Sequence, residues 1–199
     1  WIVQAFEESL VRNGLALPDL ERLLKSNNTP VHPVIAVREG DPEIEGTISG
    51  LWSKQARILT DVIPLELDQV RDGSAIVQDE GSQLVAQAFL LAEPTGPESA
   101  WLDMCAGPGG KAALISDSVP SGVEFIAVDQ HTHRVDLMSK IIGPSATLLT
   151  GDARERPWGN RFFDRVLLDA PCSGLGALRR RPEARWRKTK KQTLELTEL

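Results

Sequence analysis

The sequence predicts an α/β protein in which a small N-terminal module precedes a parallel sheet. Two observations lead there. From Ala100 onward, short apolar runs alternate with helix-patterned stretches at the close spacing of strand–helix–strand crossovers. Strands alternating with helices imply right-handed crossovers and hence a parallel sheet. Ahead of residue 74 the texture differs, with two helical patterns and one isolated strand pattern.

The elements follow in order. Ile2, Ala5, Phe6, Leu10 and Val11 fall near helical spacing, and Gly14 offers a stop. Pro18 ahead of Asp19-Leu20-Glu21-Arg22-Leu23-Leu24 starts a second helix, which Asn27-Asn28 ends. Val34–Arg38 reads as a strand bounded by Pro33 and a Gly40-Asp41-Pro42 turn. Residues 43–72 carry no clear period. Ala75–Gln78 reads as a short strand, and Glu80–Leu91 as a helix with Leu84, Val85, Ala88 and Leu91 on one face. After the Pro94-Thr95-Gly96-Pro97 break come a strand at Ala100–Met104, a Gly-rich turn and a helix at Lys111–Ser116. A strand at Val123–Val128, a helix at His133–Ile142, and strands at Ala146–Leu149 and Phe163–Leu168 complete the series. On this reading residues 1–73 form the small module and 74–199 the sheet domain.

Composition narrows the class. The 41% hydrophobic and 25% charged residues are globular values, which excludes wholesale disorder. No apolar run approaches a membrane span, and Trp1-Ile2-Val3-Gln4 shows no secretory pattern. Two Cys exclude a disulfide scaffold and point to a reducing, cytoplasmic compartment. The net charge of −6 hides an asymmetry, because Arg179–Lys191 holds eight basic residues against one acid, Glu183. That run, with Trp186 inside it, suits a polyanion; a solvated helix face is the plainer alternative.

Ligands of parallel sheets bind at the carboxyl ends of the strands. Here the first strand of the sheet leads into Asp103-Met104-Cys105-Ala106-Gly107-Pro108-Gly109-Gly110-Lys111-Ala112. Residues 107–112 satisfy G-x-G-x-x-A, where glycines let the backbone approach a ligand. A phosphate P-loop is disfavoured, because Ala112 stands where a magnesium-binding Ser or Thr would be. The second strand ends at Asp129, 20 residues past Gly109, the place of a ribose-binding carboxylate. The third leads into Gly151-Asp152-Ala153, an acceptor for an adenine amino group, and the fourth into Asp169-Ala170-Pro171-Cys172-Ser173-Gly174. A Gly loop followed by three Asp-bearing loops favours a nucleoside cofactor, and the first two loops fit NAD and S-adenosylmethionine equally.

The fourth loop discriminates. A thiol after Asp-Ala-Pro has no role in hydride transfer but suits pyrimidine chemistry. Adding a thiolate at C6 of cytosine makes C5 nucleophilic enough to attack a methyl sulfonium, and an acid near N3 stabilises the adduct. A base then removes the C5 proton and the thiol is eliminated.

These residues carry a resemblance. The two long motifs, Asp103–Lys111 and Asp169–Gly176, with Gln78-Asp79-Glu80-Gly81-Ser82-Gln83, resemble the Sun/RsmB (Fmu) family of RNA cytosine-5 methyltransferases. Arg180-Arg181-Pro182-Glu183-Ala184-Arg185-Trp186 and the opening Trp1–Phe6 are similar to that family as well. The resemblance implies a Rossmann-like S-adenosylmethionine-dependent fold acting on RNA, with ribosomal RNA expected. It implies that Cys105, Ala106, Gly107, Pro108, Gly109, Gly110 and Lys111 surround the methionine end of the cofactor. It places Asp129 at the ribose, Asp152 at the adenine and Asp169 between cofactor and target base. Catalytic roles are thereby implied for Lys111, Asp169 and Cys172, the thiol assisting product release. Arg179, Arg180, Arg181, Arg185 and Trp186 are implied as RNA contacts.

The family's attacking thiol belongs to a Thr-Cys motif, which is absent from this sequence; only Cys105 and Cys172 occur. The residues Leu194–Leu199 also end inside a helical pattern, so an internal, catalytically inactive piece of a longer enzyme is expected, with an incomplete sheet. Cys105, at the end of an apolar strand, reads as a packed small apolar residue rather than a reactive thiol, and His131 and His133 do not make a zinc spacing, so no metal is expected. A monomer without membrane association is expected. Two rival readings are an NAD(P)-dependent oxidoreductase and a non-catalytic RNA-binding module with a nucleotide-binding fold.

Overall fold

A computed structural model describes residues 1–40 and 43–196. The Asp41-Pro42 part of the expected turn and the last three residues of the expected helical ending lie outside the described residues. The chain divides into two compact units, Trp1–Val31 with Pro171–Leu199, and His32–Ala170.

In the first unit, α1 (Ile2–Arg12) and α2 (Leu17–Asn27) follow the expected helical patterns. Pro18 sits in the first turn of α2, and the Asp19 carboxylate accepts the Ala16 N–H at 2.9 Å, satisfying one of the helix's orphan donors. The carboxyl end of α2 meets two cations from the far end of the sequence. Arg185 donates to the Asn27 carbonyl at 2.6 Å and Arg179 to the Thr29 carbonyl at 3.5 Å, a favourable pairing at a helix C-terminus. Two short helices, α7 (Ala184–Arg187) and α8 (Lys190–Glu195), complete this unit, the second opened by a reciprocal Thr189–Gln192 cap.

The second unit contains two sheets. The first comprises β1 (Val34–Val37), β2 (Thr47–Ser49), β3 (Ala56–Leu59) and β4 (Ala75–Val77) in the order β2-β3-β1-β4, antiparallel throughout. Its core is Ile35, Val37, Ile44, Leu59, Leu67 and Ala75. The expected boundary at residue 73 needs correction, because Ala75–Val77 pairs with β1 and so completes this first sheet. The sequence also leaves β2 and β3 unread, as well as the 3₁₀ turn Pro64–Glu66 and the one-turn helix α3 (Asp68–Arg71). Three- and four-residue strands are too short to show alternation, and β3 buries Arg57 among apolar neighbours.

The second sheet holds β5 (Ala100–Asp103), β6 (Glu124–Asp129), β7 (Ala146–Thr150) and β8 (Arg165–Leu167), all parallel, in the order β7-β6-β5-β8. One face is covered by α4 (Glu80–Leu91), α5 (Gly110–Ser116) and α6 (Thr132–Ile141), around Phe89, Trp101, Leu114, Ile115, Phe125 and Met138. On the other face Leu102, Ile126 and Val128 pack with Trp158 and Phe163. Both β5 and β6 are therefore covered on both faces.

Polar groups stitch the two sheets. Gln83 of α4, fully buried, donates to the carbonyls of Ile35 and Gln78 at 3.3 and 3.1 Å. Arg38, just past β1, pairs its Nε–Nη2 edge with both carboxylate oxygens of Asp117, and its Nη1 donates to the Gly73 and Ile141 carbonyls at 3.2 and 2.7 Å. It therefore ties the carboxyl ends of α5 and α6, whose opposite ends open the loops described next.

Candidate functional site

The strand order reverses direction at β5, with β6 and β7 on one side and β8 on the other. Crossovers on the two sides leave in opposite directions, so a crevice opens at the carboxyl ends there. The loops that reach this edge are those singled out in the sequence.

The Gly-rich turn between β5 and α5 is held by local bonds. Cys105 N–H donates to the Asp103 carboxylate at 3.3 Å, Ala106 N–H to the Val128 carbonyl at 2.8 Å, and Gly107 N–H to the Asp129 carboxylate at 3.1 Å. Two glycines are required here for different reasons. A Cβ on Gly107 would collide with the Asp129 carboxylate and lie 2.9 Å from the Arg134 Cβ. Gly109 has φ +113°, a conformation L side chains rarely adopt, and its Cβ would press on Met138 and Ile141 at 3.0 Å.

Asp129 ends β6 with its side chain almost wholly buried. One oxygen accepts from Gly107 and the other from His131 N–H at 2.9 Å, with Arg134 3.6 Å away. Each carboxylate oxygen keeps a further lone pair. Lys111, in the first turn of α5, and Asp169, just past β8, meet at 2.6 Å, with Lys111 largely covered and Asp169 half exposed. This ion pair bridges the two loops on either side of the reversal point.

Asp103 is 1% exposed, and one of its carboxyl oxygens is buried without a hydrogen-bond partner. Burial, with Asp169 and Asp129 nearby, raises its pKa to about 7, against the opposing pull of the Cys105 N–H and Lys111. The Cys105 thiol is pushed up by burial first, then by the fields of Asp103, Asp129, Asp169 and Asp152. The acceptors with lone pairs left at this edge are the carboxylate oxygens of Asp129 and Asp169 and the unpartnered oxygen of Asp103, a set suited to hydroxyls.

The structure brings the 103–111 loop, Asp129, Lys111 and Asp169 together. Asp152 is differently engaged: both its oxygens bond the Arg154 guanidinium, at 2.6 to 3.1 Å, and Arg154 N–H caps it at 3.0 Å. Those bonds hold its carboxyl at about 2, well below the usual range. Cys172 is exposed and, with Arg179, Arg180, Arg181, Arg185 and Trp186, belongs to the other compact unit. Within that unit Arg179 and Arg185 are turned onto the end of α2, and Trp186 stands 78% exposed. No group of three His, Cys, Asp or Glu able to hold a metal occurs among the described residues. Among them, too, no helix is long and apolar enough to cross a membrane.

Two residues of this edge lack a role in the sequence reading. One is Asp103, whose signal was a charged residue closing a continuously apolar run. The other is Gln78, buried with an unpartnered oxygen and its amide nitrogen 3.4 Å from where a Cβ of Gly110 would sit. Its only sequence signal is membership of the Gln78–Gln83 stretch.

Known proteins share this chain's sequence and fold. The family described as 16S rRNA methyltransferase RsmB/F matches residues 89–199, more than half of the chain. Rv1407 of Mycobacterium tuberculosis, provisionally named a methyltransferase, is 43% identical over 208 residues, covering 100% of this chain and 44% of that protein. The ribosomal RNA small subunit methyltransferase B of Salmonella paratyphi B is 39% identical over 133 residues, covering 64% of this chain and 30% of that one. The chain thus spans less than half the length of these curated relatives. Among solved structures, PH0851 superposes with a TM-score of 0.78 at 22% identity, over 96% of this chain and 46% of its own. A methyltransferase homologue from Pyrococcus horikoshii gives 0.65 at 20% identity, over 87% and 65%. These two likenesses show the fold.

Proposed function

The chain belongs to the RsmB/F family of 16S rRNA methyltransferases, and from that premise we propose that it supplies the cofactor-binding and base-positioning part of an activity that methylates C5 of a cytosine in small-subunit ribosomal RNA with S-adenosylmethionine, the thiolate that adds at C6 being neither Cys105 nor Cys172. The observation that carries the reading is the Lys111–Asp169 pair at 2.6 Å, set between the β5 and β8 loops beside a glycine turn. A hydride-transfer enzyme has no use for that pair or for the Asp-Ala-Pro-Cys sequence that follows.

The residues fit the cofactor. Asp103 holds a buried oxygen without a partner, Gly107 leaves no room for a side chain against Asp129, and the edge is rich in acceptors. The turn Cys105–Lys111 would hold the methionine end, Asp129 the ribose hydroxyls and Asp152 the adenine. When bound, S-adenosylmethionine supplies an electrophilic methyl group.

The remaining chemistry is assigned to side chains. Lys111 fixes Asp169, whose second oxygen is left to meet the pyrimidine edge that must be polarised when a thiolate adds at C6. Cys172, exposed, serves elimination of the product once the C5 proton is lost. The target base must leave its stack to reach Asp169. The residues Arg180, Arg181 and Trp186 are proposed RNA contacts, while Arg179 and Arg185 also brace α2.

Calorimetric titration with S-adenosylmethionine, with NADH as control, tests the reading. Saturable binding of S-adenosylmethionine alone is expected, and Asp129→Ala should weaken it at least about 100-fold, since it loses the ribose acceptor and loosens Gly107. Binding of NADH by the folded protein, or an unchanged affinity in the variant, would overturn the assignment.

A further inference from the structure

The tip between β2 and β3 presents two apolar side chains to solvent, Leu51 at 81% and Trp52 at 76% exposure. Exposed tips of this kind are ordinarily loose, yet this one is pinned from beneath. One oxygen of Glu80, at the start of α4, accepts the N–H groups of both Trp52 and Ser53, at 2.5 and 2.8 Å. The Ser53 hydroxyl, buried, donates to Gln83 and accepts from Gln87, both at 2.8 Å. Gly50 completes the arrangement, because a Cβ there would collide with Ala56 and with the same Glu80 carboxylate. The backbone under the indole is therefore fixed, so stacking on it costs little ordering entropy.

Its position is informative. Glu80 lies two residues past Gln78, and Gln78 packs beneath Gly110 at the head of the glycine turn. Trp52 is thus joined through the start of α4 to the cofactor edge by a short run of contacts. Beside it, Lys54 is exposed and makes no ion pair among the described residues. An aromatic face with a free cation two residues away matches an unpaired nucleotide, base on the ring and phosphate at the ammonium.

We propose that Trp52 is a stacking platform for an unpaired base of the RNA substrate, with Lys54 on the adjoining phosphate. The inference rests on the RNA-directed reading above and adds a site to it. Residues 32–77, which hold the first sheet, carry more acids than bases, so the grip of this surface comes from stacking more than from charge.

The test measures binding of an end-labelled single-stranded RNA by fluorescence anisotropy across a salt series. Trp52→Ala should weaken binding about 10-fold with the salt slope unchanged, and Trp52→Phe should keep most of the affinity. Lys54→Ala should reduce the slope by about one phosphate contact. The emission difference between the natural protein and Trp52→Phe isolates the Trp52 signal, which RNA should quench, a readout that needs no destabilised variant. Equal RNA affinity in Trp52→Ala, or an unquenched Trp52, overturns this inference and leaves the family reading intact. A natural protein that binds no RNA overturns both. A dimer that Trp52→Ala dissociates without changing RNA affinity assigns the surface to a second copy and overturns the proposal.

Discussion

Replacing Asp103 by Asn isolates a buried acid whose ionisation opposes folding at neutral pH. The native carboxyl titrates at about 7, against 3.8 for the ordinary group, because burial disfavours its charge. The folded state therefore binds its proton more tightly than the unfolded state does. Its contribution is complete below about pH 4 and is lost as pH rises to about 7, beyond which nothing further is lost. At about 1.4 kcal/mol per unit, the total is about 4 kcal/mol, of which about 3 falls between pH 4.5 and 8. Asn keeps the shape and can still accept the Cys105 N–H, but it does not titrate. Urea unfolding of both proteins without ligand at pH 4.5, 6 and 8 reads the difference directly, since the other titrating groups are shared. The natural protein should lose about 3 kcal/mol relative to the variant over that range. Parallel profiles would show that Asp103 is ionised without penalty and would refute the argument from burial.

Two more perturbations follow from the same geometry. Gly107→Ala places a methyl group on the Asp129 carboxylate, so either the loop or β6's last side chain must move; a loss of about 1–3 kcal/mol in thermal unfolding is expected, with weaker S-adenosylmethionine binding by calorimetry. Arg38→Met removes the cation that ties Asp117 to the Gly73 and Ile141 carbonyls, leaving three acceptors with reduced solvation. A fall of about 2 kcal/mol, or several degrees in Tm by calorimetric scan, should result, and an unchanged Tm would mean that the tie carries no stability.

The parallel sheet was readable because its strands are buried on both faces and its ligand loops sit at their ends. Apolar runs at Ala100–Leu102 and Phe125–Val128, closed by Asp103 ahead of the glycine turn and by Asp129, state both facts in adjacent residues. The boundary at 73 was misread for the opposite reason. Whether Ala75–Val77 pairs with Val34–Val37 or starts the next sheet depends on partners about 40 residues away, and a three-residue strand has no period to say which. Arg179 and Arg185 mislead in the same way, since a basic run announces charge but not that two of its members serve carbonyls of residues 27 and 29.

By itself, then, the sequence determined what is local: helix ends, the glycine turn, the acids that close successive strands, and a family resemblance resting on contiguous motifs. Tertiary structure decided which of those acids is dry, which is satisfied by its own neighbours, and which meets a cation. Asp103, Asp152 and Asp169 are chemically identical in the chain. One is made a weak acid by burial, one is committed to Arg154, and one is held at 2.6 Å by Lys111. Solvent exposure and the field of distant charges set those differences, and both exist only once strands far apart in sequence lie side by side.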